Sequence, residues 1–208
     1  MNGALQVFGN VRAVKIPAFD PKNYPLKNRL RLGFWLGWLQ VQLARVINRA
    51  FGIAVLTSEL RGKLIKRAGT THDLGVLSYR VVTNNGVGYI VDAFQNLVEP
   101  ENMKYHGVGT GGTAEAAADS ALVTESTTAL NPDSTRATGT TTESAANAYQ
   151  TVGTVTFDAS AAITEHGIFS QAATGGGVLL DRSLFSAINV VSGDSIQFTY
   201  TLTFTAGG

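Results

Sequence analysis

The sequence predicts a mainly β protein: an antiparallel β-sandwich or jelly roll of about eight strands, preceded by a basic, helical attachment segment. Three observations lead there. The apolar residues recur at helical steps between residues 26 and 67, and from Leu74 onward they recur every second residue. The strand patterns that follow are short and separated by Gly, Asn and Asp. Charge divides at nearly the same place: residues 1–67 hold twelve Lys/Arg against Asp20 and Glu59, a net +10, whereas residues 68–208 hold four against thirteen acids, a net −9. The overall +1 therefore conceals a basic arm joined to an acidic body.

These shifts divide the chain into 1–67, an arm with an amphipathic helical attachment segment, and 68–208, the β-sandwich. The length of 208 residues accommodates one well-buried domain with an appendage. Charged residues make up only 15% of the chain, below the usual ~25%, and Thr, Ser, Gly and Ala take their place. That bias suits a β-rich protein that packs against copies of itself. No cysteine is present, so a disulfide framework, a thiolate nucleophile and a thiolate zinc site are excluded. Met1–Phe8 lacks the basic start and cleavage site of a secretory signal. The best candidate for a membrane span, residues 32–56, is interrupted by Gln40, Gln42, Arg45, Asn48 and Arg49 and is read as non-spanning.

Residues 1–25, with Pro17, Pro21 and Pro25, read as an extended arm. Leu32, Trp35, Leu36, Leu39, Leu43, Val46 and Ile47 then recur at three- and four-residue steps and predict a helix with one apolar face. Gly52 ends or kinks it. A second short helix is expected over residues 57–66, capped by Ser58. Thr83-Asn84-Asn85-Gly86 predicts a tight hairpin turn between strands 76–82 and 87–94. Further strands are expected at 103–108, 135–142, 149–157, 163–170, 177–184 and 195–205. The last alternates most clearly, with Ile196, Phe198, Tyr200, Leu202 and Phe204 on one side and Gln or Thr on the other.

No motif carries an enzymatic chemistry. Gly107-Val108-Gly109-Thr110-Gly111-Gly112 has the glycines of a phosphate loop but not the following Lys-Ser/Thr pair or a βαβ setting, and reads as a strand–loop corner. His72, His106 and His166 lack the spacing of a zinc site or a hydrolase triad with Asp73, Glu165 or Ser170. Consecutive strand residues also place Glu165 and His166 on opposite faces. Arg182 is one of few cations in the acidic body and invites an ion pair with Glu165 or Asp181. The expectation is a non-enzymatic protein with no metal or cofactor.

Function is therefore sought in the basic third. Leu32, Trp35, Trp38, Leu39, Leu43, Ile47 and Phe51 are the candidate partner-docking residues, with Trp35, Trp38 and Phe51 as aromatic anchors. Arg29, Arg31, Arg45, Arg49, Arg61, Lys63, Lys66 and Arg67 are candidate electrostatic contacts. Three readings are open: phosphates of a nucleic acid, an anionic membrane surface, or an acidic protein partner. The last accounts best for the aromatic stripe.

The run Lys104–Glu115, followed by Asp119-Ser120-Ala121-Leu122 and Glu125, resembles a "GxGT" and "ALxxE"-like segment of tailed-bacteriophage structural proteins. Ile163-Thr164-Glu165-His166-Gly167-Ile168-Phe169, Leu180-Asp181-Arg182-Ser183-Leu184-Phe185 and Gly193-Asp194 extend the resemblance over residues 74–206. It implies a virion protein with an all-β domain: a capsid cement or decoration protein, a head-fibre base, or a tail or baseplate component. The expected partners are copies of itself, met through the β-sandwich with a trimer as one arrangement, and the major capsid or another virion protein, met through residues 1–67. A receptor- or carbohydrate-binding module is the competing class, and a membrane- or DNA-contacting virion protein a further one. Residues 1–67 lie outside the resemblance, which supplies no catalytic residues.

Overall fold

The computed structural model describes residues 32–80 and 82–207; the side chains of Leu32, Gly33 and Arg80 are not described. The predicted extended arm 1–25 and the candidate contacts Arg29 and Arg31 lie outside these residues. Among the described residues, nine strands form two antiparallel sheets.

Helix α1, Leu32–Phe51, is the predicted amphipathic helix. Its end is local chemistry: Gly52 takes φ 64°, a left-handed conformation that glycine adopts without a Cβ penalty, and its N–H closes on the Asn48 carbonyl at 2.8 Å. The Asn48 side-chain amide donates to the carbonyls of Ile53 at 2.8 Å and Ala206 at 2.7 Å, tying the helix end to the last strand.

Where a second short helix was expected, the chain forms strand β1, Val55–Ile65. Ser58, Leu60, Gly62 and Leu64 are buried in alternation, a period of two that the cap-like Ser58 obscures. Strand β1 is central, paired with β2 (Thr71–Arg80) on one side and the C-terminal strand on the other. An unbroken ladder with the C-terminal strand and a bulged one with β2 outweigh the small differences in helix propensity. The sandwich consequently begins at Val55 and not at residue 68, and Arg61, Lys63 and Lys66 belong to it or to its edge.

The Asn-Gly signal is also resolved differently. Asn84–Phe94 is helix α2, and Thr83 is its N-cap, accepting from the Gly86 N–H at 3.0 Å. The Thr83 hydroxyl also donates to the Leu179 carbonyl at 2.7 Å, which anchors the helix start on the neighbouring strand Leu179–Val190. Thus 87–94 is not a strand. Val87, Val91 and Phe94 fit the helical steps of four and three as well as they fit a strand, and the cap decides.

The remaining strands follow the expected order: β3 (Tyr105–Gly109), β4 (Ala137–Thr138), β5 (Thr140–Ala145), β6 (Ala148–Thr156), β7 (Ala161–Phe169), β8 (Leu179–Val190) and β9 (Ser195–Thr205). One sheet has the order β2-β1-β9-β6-β5 and the other β4-β3-β7-β8. The single strand expected over 135–142 is divided at Gly139, where the chain leaves the second sheet and enters the first.

The two sheets share one core. Leu60, Val155, Ile196, Phe198 and Tyr200 from the first face Val108, Ile163, Ile168, Phe185 and Val190 from the second. Strand β9 has the predicted alternation, with Ile196, Phe198, Tyr200 and Leu202 no more than 3% exposed, while Phe204 at its end is 37% exposed. Burial of each such side chain contributes roughly 1.5–3 kcal/mol and holds the strand in register. Phe198 lies 4.5 Å from the His166 ring and 6.2 Å from Phe185, centroid to centroid. Phe198→Ala is expected to destabilise the protein by about 3–5 kcal/mol in urea unfolding monitored by circular dichroism. A loss below about 1 kcal/mol would show that this core relaxes around the cavity.

Candidate docking surface

Helix α1 meets its own sandwich with one side and solvent with the other. Phe34 and Val41, 4% and 2% exposed, lie on the inner side with Gln42, and Phe34 reaches the Tyr79 ring of β2 at 6.1 Å. Leu36, Leu39 and Leu43 are 49%, 55% and 54% exposed on the opposite side, and Phe51 is 74% exposed at the end. The candidate docking residues are therefore divided. Leu39, Leu43 and Phe51 are open; Trp35, Trp38 and Ile47 are half-buried; the side chain of Leu32 is outside the description. Trp35 and Trp38 stack edge to face at 6.0 Å, with Phe34 against Trp35, forming a tryptophan cluster beside the helix–sheet junction. Leu36 belongs to the open face, although the sequence did not single it out for docking. Apolar residues surround most of this helix, so periodicity alone cannot decide which side its own body covers.

The positive residues are dispersed. Arg45, Arg49, Lys63 and Arg67 are exposed and form no side-chain ion pair among the described residues. Arg61 pairs with Glu59 at 3.2 Å, and Lys66 reaches Asp194 at 2.7 Å. Asp194 also accepts from the backbone N–H of Arg67 at 3.0 Å and Val191 at 3.1 Å. The Lys66 hydrogen bond foremost holds the Asp194 carboxyl below its ordinary range. Lys66 therefore closes the turn between β8 and β9 and is not a free contact.

The glycine-rich segment does cradle an anion, and that anion is the chain's own Glu165. This carboxylate is fully buried and accepts from the backbone N–H groups of Gly111 at 3.0 Å, Val123 at 3.1 Å and Thr124 at 2.8 Å. The fourth donor is Arg182 Nε at 2.8 Å. A Cβ added at Gly109 or Gly111 would lie 2.6 or 2.5 Å from Glu165 Oε1, so the glycines are required by this close approach. Arg182 further contacts Asp119 at 3.1 Å and the Thr113 carbonyl at 3.0 Å. The ion pair suggested by the sequence is thus present with Glu165, and Asp119 joins it.

A second buried guanidinium has no sequence signal beyond its rarity. Arg136 meets Glu125 in a two-point fork at 2.6 and 3.0 Å, donates to the carbonyls of Gln171 and Gly176, and lies 3.5 Å over the Phe169 ring. Together the two arginines fasten residues 110–136, which have almost no regular structure, onto β7, β8 and the loop joining them.

His106 and His166 are buried between the sheets, joined through Nδ1 and Nε2 at 3.0 Å, with Thr151 Oγ 3.2 Å from His106 Nε2. Glu165, on the opposite face of β7, is bonded elsewhere, so no acid–base relay links it to His166. Among the described residues no group of three or more His, Asp or Glu converges as a metal site, and no helix is long and apolar enough to cross a membrane. An open groove of about 810 Å³ lies at one end of the sandwich, between Leu56, Pro100, Tyr149 and Phe204. No protein-family model, curated protein or solved structure matches the chain.

Burial lowers the His106 pKa from 6.5 to about 3, and burial followed by the neighbouring His106 lowers that of His166. The unfolded chain gains protons below pH 6.5 that the folded chain refuses, so this contribution to stability is full above pH 6.5 and lost as pH falls toward 3. Between pH 7 and 5, stability is expected to fall by about 2 kcal/mol through His106, with His166 acting in the same direction, read from urea midpoints. A His106→Gln/His166→Gln variant should have a flatter profile over that interval; an unchanged slope would assign it to other groups.

Arg182→Leu leaves the Glu165 charge buried without its cation and is expected to cost about 3–5 kcal/mol. Glu165→Gln together with Arg182→Leu should recover part of that loss in a double-mutant cycle by thermal unfolding. Strict additivity would show that the two side chains act independently.

Proposed function

We propose that the chain is a non-enzymatic structural protein of a tailed-bacteriophage particle, of the capsid cement or decoration type. In this reading its sandwich is a rigid body, and its N-terminal segment joins it to the particle. Its partners are copies of itself and the major capsid or another virion protein, and its place is the virion.

The observation that carries this reading is the open face of α1. Leu36, Leu39 and Leu43 are each about half exposed on a helix whose other side is already fixed to the body. A row of large apolar side chains held on a rigid support is the arrangement of an assembly surface. The division of charge supports it, because the exposed Arg45 and Arg49 near the end of the same helix favour an acidic partner surface. The sequence resemblance over residues 74–206 supplies the kind of assembly. The inward-facing side of α1 changes which residues should be tested. Truncating Trp35 and Trp38 would disturb the cluster at the helix's own seat, whereas Leu39 and Leu43 touch only the outer surface.

The test is complementation of a phage lacking this gene with Leu39→Glu/Leu43→Glu, followed by quantitative gel analysis of purified particles. Particle-bound chain is expected to fall at least tenfold while soluble, folded chain persists. Normal copy number in the variant, or absence of the wild-type chain from particles, would overturn the reading.

A further inference from the structure

The sandwich is open at one end, and the opening is apolar. Along β9 the inward row Ile196, Phe198, Tyr200 and Leu202 is shut off from water, but Phe204, next in that row, is 37% exposed. Leu56 of β1 lies opposite Phe204, and Tyr149 of β6 lies opposite Leu202. The inner face of the first sheet therefore runs on past the end of its cover. The facing wall is made by α2 and the short turn Pro100–Asn102, with Leu180 as the only lining residue from the second sheet. That wall is fixed: the Tyr89 hydroxyl donates to the Glu99 carbonyl at 2.6 Å, and the Tyr149 hydroxyl to the Met103 carbonyl at 2.7 Å. The groove of about 810 Å³ shares Pro100, Tyr149 and Phe204 with a recess of about 320 Å³, edged by the 86% exposed Phe94. Such a recess is at the small end for ligand pockets and suits the side chains of an extended segment.

We propose that the occupant of this mouth is the chain's own segment Val11-Arg12-Ala13-Val14-Lys15-Ile16-Pro17-Ala18-Phe19. The proposal concerns the end of the sandwich and goes beyond the reading of α1 as an assembly surface, whatever partner that helix meets. Charge complementarity is the first argument. Glu101 and Glu143 line the groove, both are exposed, and neither forms a side-chain ion pair among the described residues. Residues 1–31 hold six Lys/Arg against Asp20 alone, a net +5. Residues 11–19 combine Arg12 and Lys15 with Val11, Val14, Ile16 and Phe19 and contain no acid. They thus offer apolar groups to the walls and cations to the rim.

Reach is the second argument, and it selects the segment. The end of α1 leads through Gly52 and Ile53 to Ala54, which lies in the groove wall. The start of the same helix, where the described residues begin, is about 30 Å away. Residues 20–31 span up to about 40 Å, so Phe19 can return to the mouth of its own sandwich. Leu26 cannot, because residues 26–31 span only about 20 Å. Leu5-Gln6-Val7-Phe8 could reach but has no cation for the rim. A tether this short gives an effective concentration of about millimolar, so a segment that binds only weakly as a free peptide is still held.

Because the chain has no cysteine, a nitroxide on Asn10→Cys labels the full protein at one place, just outside the proposed segment. In amide NMR spectra the signals of Leu56, Tyr149 and Phe204 should be lost and should return when ascorbate reduces the label. Isotope-labelled chain without nitroxide, mixed with unlabelled chain that carries it, should keep those signals. Glu101→Lys/Glu143→Lys should prevent the loss while the rest of the spectrum is unchanged. Arg12→Glu/Lys15→Glu, which leaves the walls of the mouth untouched, should prevent it as well, and the two reversals combined should restore it. Signals that persist in the singly labelled wild type, or that are lost equally in both reversed variants, overturn the proposal. Loss only in the mixed sample would assign the mouth to a second copy's arm, and loss centred on Leu39 and Leu43 would place the arm on α1; each of these also overturns it.

Discussion

Glu165 is a carboxylate with no access to water, and the chain arranges four donors around it: three backbone N–H groups from residues 111–124 and the Arg182 guanidinium. An isolated charge in that place would be prohibitively costly, so either all four donors are present or the region does not form. The constraint reaches far along the chain. It fixes where the loop after β3 returns, which residues there can only be glycine, and how β7 and β8 align, since Glu165 pairs across the ladder with Leu184 and reaches the guanidinium two residues earlier. Arg136 with Glu125 repeats the device on the other half of the same loop. A segment of Thr, Ala, Ser and Gly, too poor in large apolar groups to bury a core of its own, is ordered by two ion pairs.

The helix has the opposite character. Its seat on the sandwich is apolar and aromatic, and its outer face offers more of the same to solvent. The body is thus polar where it must hold loops and apolar where it is free to meet a partner. That division accounts for the low content of charged residues better than overall solubility does. Several of the charges are engaged inside, at Glu165, Arg182, Arg136 and Asp194, and few remain to screen the leucine row of α1.

Much of the sandwich was legible in the sequence, and the failures share one cause. Strand β9 alternates from Ile196 to Leu202, with Phe204 at its end exposed, and its bounds are those expected, because burial of one face determines register. The helical reading of residues 57–66 and the hairpin at 83–86 both rested on a polar residue in a cap or turn position, Ser58 and Asn85-Gly86. Such short signals are satisfied by several structures. Ser58 instead donates to the Asp181 carboxylate at 2.6 Å, and the cap belongs to Thr83. The docking helix was recognised as a helix, but its faces were not separated, since both carry large apolar side chains.

The sequence by itself determined the β-rich class, the order of most strands, the amphipathic helix with its glycine stop, and the separation of charge between the two parts of the chain. These follow from periodicity and composition, which act locally. Only the tertiary structure decided that residues 55–65 join the sheet, that the glycine-rich corner encloses Glu165, that His106 and His166 meet, and which row of α1 remains open. Each of those depends on contacts between residues distant in the chain, and partners brought together by folding outweigh local preferences of a few tenths of a kcal/mol per residue.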